Sequence, residues 1–132
     1  MLSLMEHNIR LNGLSSTVQA NVLDWGAPLP DCIPTHPSIV LAADCVYFEP
    51  AFPLLISTLR SLLGPESSCY FCFKRRRRAD LRFIKQAKKM FDVMEIRDYA
   101  DREVYVKENI FLYLIRPRSS KCNNVTDQPN AN

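Results

Sequence analysis

Leu2, Leu4, Met5, Ile9 and Leu11 fall close to helical spacing and Asn12-Gly13 supplies a stop, so the pattern predicts a helix already under way at Met1. The period then changes. Val18 to Leu23 alternates before meeting Asp24-Trp25-Gly26, which predicts a short strand running into a loop. Pro28, Pro30, Pro34 and Pro37 mark a linker. Beyond it, Ile39-Val-Leu-Ala-Ala43 is an unbroken apolar run held between Pro37 and Pro50, the pattern of a strand buried on both faces of a parallel sheet. From Pro50 to Leu63, Phe52, Leu55, Ile56, Leu59, Leu62 and Leu63 share one helical face, prolines 50 and 53 suit a first turn, and Gly64-Pro65 ends the element. Cys69 to Phe73 predicts a second buried strand, and Ala79 to Met90 a helix with Leu81, Ile84, Ala87 and Phe91 inward. Phe91 to Ile96 and Asn109 to Ile115 predict two closing strands around a charged loop, 98 to 108; residues 117 to 132 predict a disordered polar tail.

The resulting order is helix, strand, strand, helix, strand, helix, strand, strand. It predicts an α/β layered domain with a largely parallel sheet and an antiparallel pair at one edge. In such sheets ligands sit beyond the carboxyl ends of the strands, where Asp44 and Tyr47 would project. A plainer reading stays open at this point: Asp44 caps the helix near Pro50 or bonds a loop backbone.

Length and composition narrow the picture. A chain of 132 residues suits one domain with a single core, and no apolar run approaches the roughly 20 residues that span a bilayer. Met1 to Glu6 lacks the basic start and long apolar region of a leader, so a soluble intracellular protein is expected. Five cysteines without framework spacing suit reduced thiols. Cys69 and Cys72 match C-x-x-C, but strand residues three apart point to opposite faces and no second pair or nearby His completes a zinc set, so no metal is expected. The net charge is +3, yet residues 74 to 89 hold nine bases and one acid, a local +8 that leaves −5 elsewhere. Such a patch suits an acidic partner, nucleic acid or nuclear import through residues 74 to 78.

Four segments in order, VQANVLDWG, VLAADCVYFEP, CYFCFKRRR and ENIFLYLIRPR, resemble the second half of a class I, seven-stranded S-adenosylmethionine-dependent methyltransferase. More narrowly, they are similar to the methyltransferase-like 21 group of protein-lysine methyltransferases, and within it to the fungal elongation factor enzymes. The resemblance runs from about Leu4 to Arg116 and is most specific at Asp44-Cys45-Val46-Tyr47, which matches the group's D-x-x-Y motif at the end of the fourth strand. It implies a Rossmann-like sheet within a partial methyltransferase domain over residues 1–116, S-adenosyl-L-methionine as cofactor, and translation elongation factor 1-alpha as protein substrate of a cytoplasmic monomer. By the same resemblance Asp44 and Tyr47 line the substrate-lysine channel, Trp25 lies beside the adenine ring and Ala43 meets the cofactor through its backbone; Asp24, just before the indole, has the chemistry to accept from the adenine amino group.

The first two strands, the glycine-rich turn and the ribose-binding acid have no counterpart: Gly13, Gly26 and Gly64 form no G-x-G. Weak cofactor binding and an exposed edge on the Ile39 to Ala43 strand are therefore expected. The competing class is a non-catalytic module in which Lys74 to Arg78 holds RNA or an acidic protein. With Phe83 as the lone aromatic across residues 74 to 89, base stacking has little to build on and nucleic acid is not expected.

Overall fold

The computed structural model describes residues 1–118. Its elements are α1 (Leu2–Leu11), β1 (Ile39–Ala43), a 3-10 turn (Glu49–Ala51), α2 (Phe52–Leu62), β2 (Ser68–Lys74), α3 (Asp80–Met90), β3 (Phe91–Glu95), α4 (Arg102–Lys107) and β4 (Ile110–Pro117). Residues 119–132, most of the predicted tail, lie outside the described residues.

Four strands form one sheet in the order β1-β2-β4-β3. β1 pairs with β2 in parallel, Ile39 opposite Ser68 and Ala43 opposite Cys72, while β4 runs antiparallel to both of its neighbours. The three strands β1, β2 and β3 thus share a direction and β4 alone is reversed, with β3 and β4 making the antiparallel pair predicted at one edge. β1 is the other edge.

The core follows from period. β2 buries every second residue, Cys69, Phe71 and Phe73, on one face; α2 sets Phe52, Leu55 and Leu59 against that face; and α3 adds Phe83, Ile84 and Ala87. Phe83 stacks on Phe71 at 4.9 Å between ring centres and meets Phe52 edge-on at 5.5 Å, which locks both helices to the strand. Cys69, at 0 % exposure, lies in this core, and burial pushes its thiol up to about 12. Cys72 faces the other way, so the two thiols do not converge.

The opposite face of the sheet carries a lateral row in register, Leu41, Tyr70, Leu114 and Met94, of which only Leu114 is buried; Leu41 is 79 % exposed and Met94 60 %. β1 is therefore not buried on both faces as its sequence predicts. Only the Val40 and Ala42 side packs on the core, because among the described residues no helix covers the other.

Three further expectations change. Residues 18 to 23 form no strand, since a strand needs a ladder partner and none pairs with them among the described residues. The helix predicted from Met1 does form, as α1, and buries none of its residues. The charged loop contains α4, bracketed by left-handed Asp101 and Asn109. Leu81, predicted inward, is 42 % exposed because the buried face of α3 runs through residues 80, 83, 84 and 87. No described helix is long and apolar enough to cross a membrane.

Candidate functional site

β1 ends at Ala43, and the Asp44 amide extends its ladder by donating to the Cys72 carbonyl at 2.8 Å. Asp44 then turns the chain in a left-handed conformation, φ 52°, which aspartate tolerates better than most side chains because of its short polar group. Its carboxylate accepts a two-pronged bond from Arg76, Nη1 to Oδ1 and Nη2 to Oδ2, each at 2.8 Å. This is the planar fork geometry in which guanidinium and carboxylate bind most strongly. Neither the 3-10 turn nor α2 has a side-chain cap, so Asp44 is spent on a cation.

The hydrogen bond from Arg76 holds the Asp44 carboxyl below the usual carboxylate range, against a smaller opposing effect of burial. Asp44 is depressed in the folded state, so the pair contributes above the ordinary value of 3.8 and is lost as pH falls below it. In Arg76→Gln the Asp44 carboxyl is expected to titrate at higher pH, back towards 3.8, when followed by carboxyl carbon NMR; an unchanged titration would show that the fork does not form in solution.

What aims Arg76 is the loop between β2 and α3. The Arg76 and Arg77 amides both donate to Asp80 Oδ2, at 2.8 and 3.0 Å, and Asp80 is 1 % exposed. The Arg75 amide donates to the Asn109 carbonyl at 2.7 Å, and its guanidinium bonds Asn109 Oδ1 at 3.1 Å and lies over the Phe111 ring at 5.0 Å. Arg77 donates to the Tyr47 carbonyl, and Arg82 pairs with Glu49 at 2.6 Å. Two stretches that read separately in the sequence, residues 44 to 49 and 75 to 82, are thereby tied into one rim.

Two adjoining depressions open on that rim. One, about 280 Å³, is lined by Ala43, Asp44, Cys72, Phe73, Lys74, Arg76 and Ile110; the other, about 450 Å³, by Arg75 to Arg78 with Leu81 and Asn109. Arg76 lines both. A larger groove of about 620 Å³ runs past Ser67, Ser68 and Arg116, at the amino end of β2 and away from the strand ends where ligands of such sheets collect. Among the described residues no group of His, Cys, Asp and Glu gathers as a metal site.

The structure brings Ala43 and Asp44 together and ties Tyr47 to their rim through Arg77, with the Tyr47 side chain 61 % exposed. Asp24 and Trp25 lie outside both linings. They open a turn closed by the Ala27 amide on the Asp24 carbonyl at 3.2 Å, with Gly26 at φ +83° donating to Thr58 Oγ1 on α2 at 2.9 Å. A Cβ at Gly26 would come within 2.7 Å of Leu54, so only glycine lets the turn sit this close to α2. The indole of Trp25 is half-buried against the core and Asp24 is exposed. Two positions that shape this rim went unread in the sequence, Arg76 as the partner of Asp44 and Asp80 as the acceptor that holds the arginine loop. The available signal was a lone acid two residues after five consecutive cations, at the start of a predicted helix.

The sequence profile of the lysine methyltransferase family matches residues 1–90. The chain is 41 % identical over 128 residues to the protein-lysine N-methyltransferase EFM6 of Saccharomyces cerevisiae, covering 88 % of this chain and 52 % of that one. The chain belongs to the lysine methyltransferase family. Other relatives agree: EEF1A lysine methyltransferase 3 of Mus musculus is 38 % identical over 52 % of this chain and 33 % of its own, and the protein N-lysine methyltransferase METTL21A of Danio rerio is 30 % identical over 80 % and 50 %. This family member spans between a third and about half the length of these curated relatives, and its mixed four-stranded sheet is that of a partial Rossmann-like methyltransferase fold.

Proposed function

We propose that this chain carries the substrate-lysine side of a protein-lysine N-methyltransferase acting on translation elongation factor 1-alpha in the cytoplasm. The observation that carries the reading is the carboxylate of Asp44, held at the carboxyl end of a parallel strand in a geometry that already binds an organic cation. The names of the yeast and mouse relatives support lysine as that cation, and the name of the mouse relative supports the elongation factor as its bearer.

A lysine ammonium with a reference pKa near 10.4 must lose its proton before the nitrogen can take up a methyl group. Asp44 would orient the nitrogen by a charge-assisted hydrogen bond, and the exposed rings of Tyr47 and Phe48 would withdraw water from it, which lowers a lysine pKa. Arg76 would have to give up its fork as the substrate enters.

S-Adenosylmethionine supplies the electrophilic methyl group when bound. The residues present fit one end of it: Trp25 offers a half-exposed indole for a purine and Asp24 an exposed carboxylate for an amino group, with Ala43 at the strand end. For the ribose and the amino acid end the described residues offer no glycine-rich cradle, so the fit is partial.

The test is calorimetric titration of the 132-residue chain with S-adenosylmethionine, followed by transfer of labelled methyl to elongation factor 1-alpha. Binding that disappears in Trp25→Ala, and transfer that falls tenfold or more in Asp44→Asn, are the expected results. Asparagine is the informative substitution because it accepts the left-handed backbone and removes only the charge. Binding indifferent to Trp25, or transfer indifferent to Asp44, would overturn the assignment of those residues.

A further inference from the structure

Apart from Arg76, the arginine groove has no role in the chemistry just described, yet it shares a wall with it. Arg75 is held by Asn109 and Phe111, Arg76 by Asp44, and Arg77 by the Tyr47 carbonyl and, at 3.8 Å, by Asp80. Arg78 is exposed and, among the described residues, forms no ion pair. Among the described residues these four guanidinium groups form ion pairs with just two carboxylates, Asp44 and Asp80, one of which is buried beneath them. Bonded from behind by Asn109, Asp80 and a main-chain carbonyl, the arginines are aimed as well as charged. Pre-aimed side chains lose less freedom when a partner arrives.

We infer that this groove is a docking site for an acidic segment of the protein substrate, so that the lysine presented to Asp44 is one with aspartate or glutamate close by in the folded chain or sequence. The inference rests on Asp44 as the lysine seat. The geometry then reads as a paired selector, a carboxylate for the ammonium and, across Arg76, guanidinium groups for neighbouring carboxylates. The incoming pair also solves the displacement of Arg76: the lysine takes its place on Asp44 while a substrate carboxylate takes Asp44's place on Arg76. One ion pair is exchanged for two, and no charge is left bare in the rim.

A protein carboxylate suits this groove better than nucleic acid does. Its lining holds no aromatic ring on which a base could stack, with Leu81 as its apolar member. The remainder of the chain is net negative, which disfavours a long polyanion outside the groove while leaving a short acidic segment unopposed.

Fluorescence anisotropy on the full chain tests this with four probes: a lysine peptide flanked by glutamates, the same peptide flanked by glutamines, the glutamate peptide with lysine replaced by alanine, and a single-stranded oligonucleotide. The glutamate peptide is expected to bind about tenfold tighter than the glutamine peptide at low salt and to lose that margin near 1 M salt, where screening acts over about 3 Å. Arg78→Glu and, separately, Arg77→Gln should each abolish most of the margin, while Lys89→Glu, an equal charge change at the far end of α3, should leave it. Equal affinity for both flanks, a loss in Lys89→Glu as large as in Arg78→Glu, or tighter binding of the oligonucleotide would each overturn the proposal. Failure of the lysine reading looks different: the glutamate margin and its dependence on Arg78 persist, but the alanine peptide binds as well as the lysine peptide, and Asp44→Asn changes neither. Arg78→Glu alters an exposed side chain with no ion-pair partner among the described residues, so its result does not hang on folding.

Discussion

Phe83→Ala is expected to cost about 3 to 5 kcal/mol of stability, the range for deleting a fully buried phenylalanine whose surroundings cannot collapse. Phe83 is 0 % exposed and touches both other components of the core, stacked on Phe71 of β2 and edge-on to Phe52 of α2. Alanine would leave a hole between two helices and a strand, none of which can close it without losing its own contacts. Domains of this kind are held by about 5 to 15 kcal/mol, so the loss should be visible as a large drop in the urea midpoint. Leu81→Ala, two positions away on the exposed side of the same helix, serves as the comparison and should change stability by well under 1 kcal/mol. Equal small effects at both positions would mean that α3 does not dock on the sheet as described.

The second large effect is expected at Asp80. Removing its carboxylate in Asp80→Ala strands the Arg76 and Arg77 amides that share Oδ2, and each buried donor left without a partner costs roughly 1 to 3 kcal/mol. Two such donors give about 2 to 6 kcal/mol, and because both bonds are only part-buried the lower half of that range, about 2 to 4 kcal/mol, is expected, with Asp80→Asn recovering part of it because the amide oxygen can still accept. Stability alone would not separate this residue from any other buried polar group. Its position does, because Arg76 is aimed by Asp80 and in turn depresses Asp44. Asp80→Asn, while still folded, should therefore let the Asp44 carboxyl titrate closer to its ordinary value than in the parent chain. A large stability loss with no movement at Asp44 would reduce Asp80 to a structural role.

The physics of each element explains what the sequence could disclose. β2 was legible because its alternation is enforced on the spot by a covered and an uncovered face, and α2 because its apolar stripe and its two prolines agree. Residues 18 to 23 misled because strand propensity is a statement about a neighbour, and a segment with Val18 and Val22 exposed has found none among the described residues. α4 was hidden by Val104 and Val106, whose branched side chains argue against a helix only six residues long. The acid at the end of β1 could be found from its place after an apolar run. Its partner could not, since Arg76 lies 32 residues on and reaches Asp44 only through the parallel register that sets Ala43 beside Cys72. Within a run of identical arginines, nothing local says which one makes the contact. The match to residues 1–90 carries the family without that contact, which depends on geometry.

The uncovered row of Leu41, Tyr70 and Met94 has a thermodynamic consequence. Heat capacity rises on unfolding in proportion to the apolar surface newly wetted, and this sheet keeps one apolar face wet while folded. The increment per residue must then fall below the usual 12 to 15 cal/mol/K or so, and the curve of stability against temperature must be correspondingly flat. Cold would weaken such a chain less than it weakens a domain with both faces of its sheet dry, and the difference is stored in three side chains on the open face.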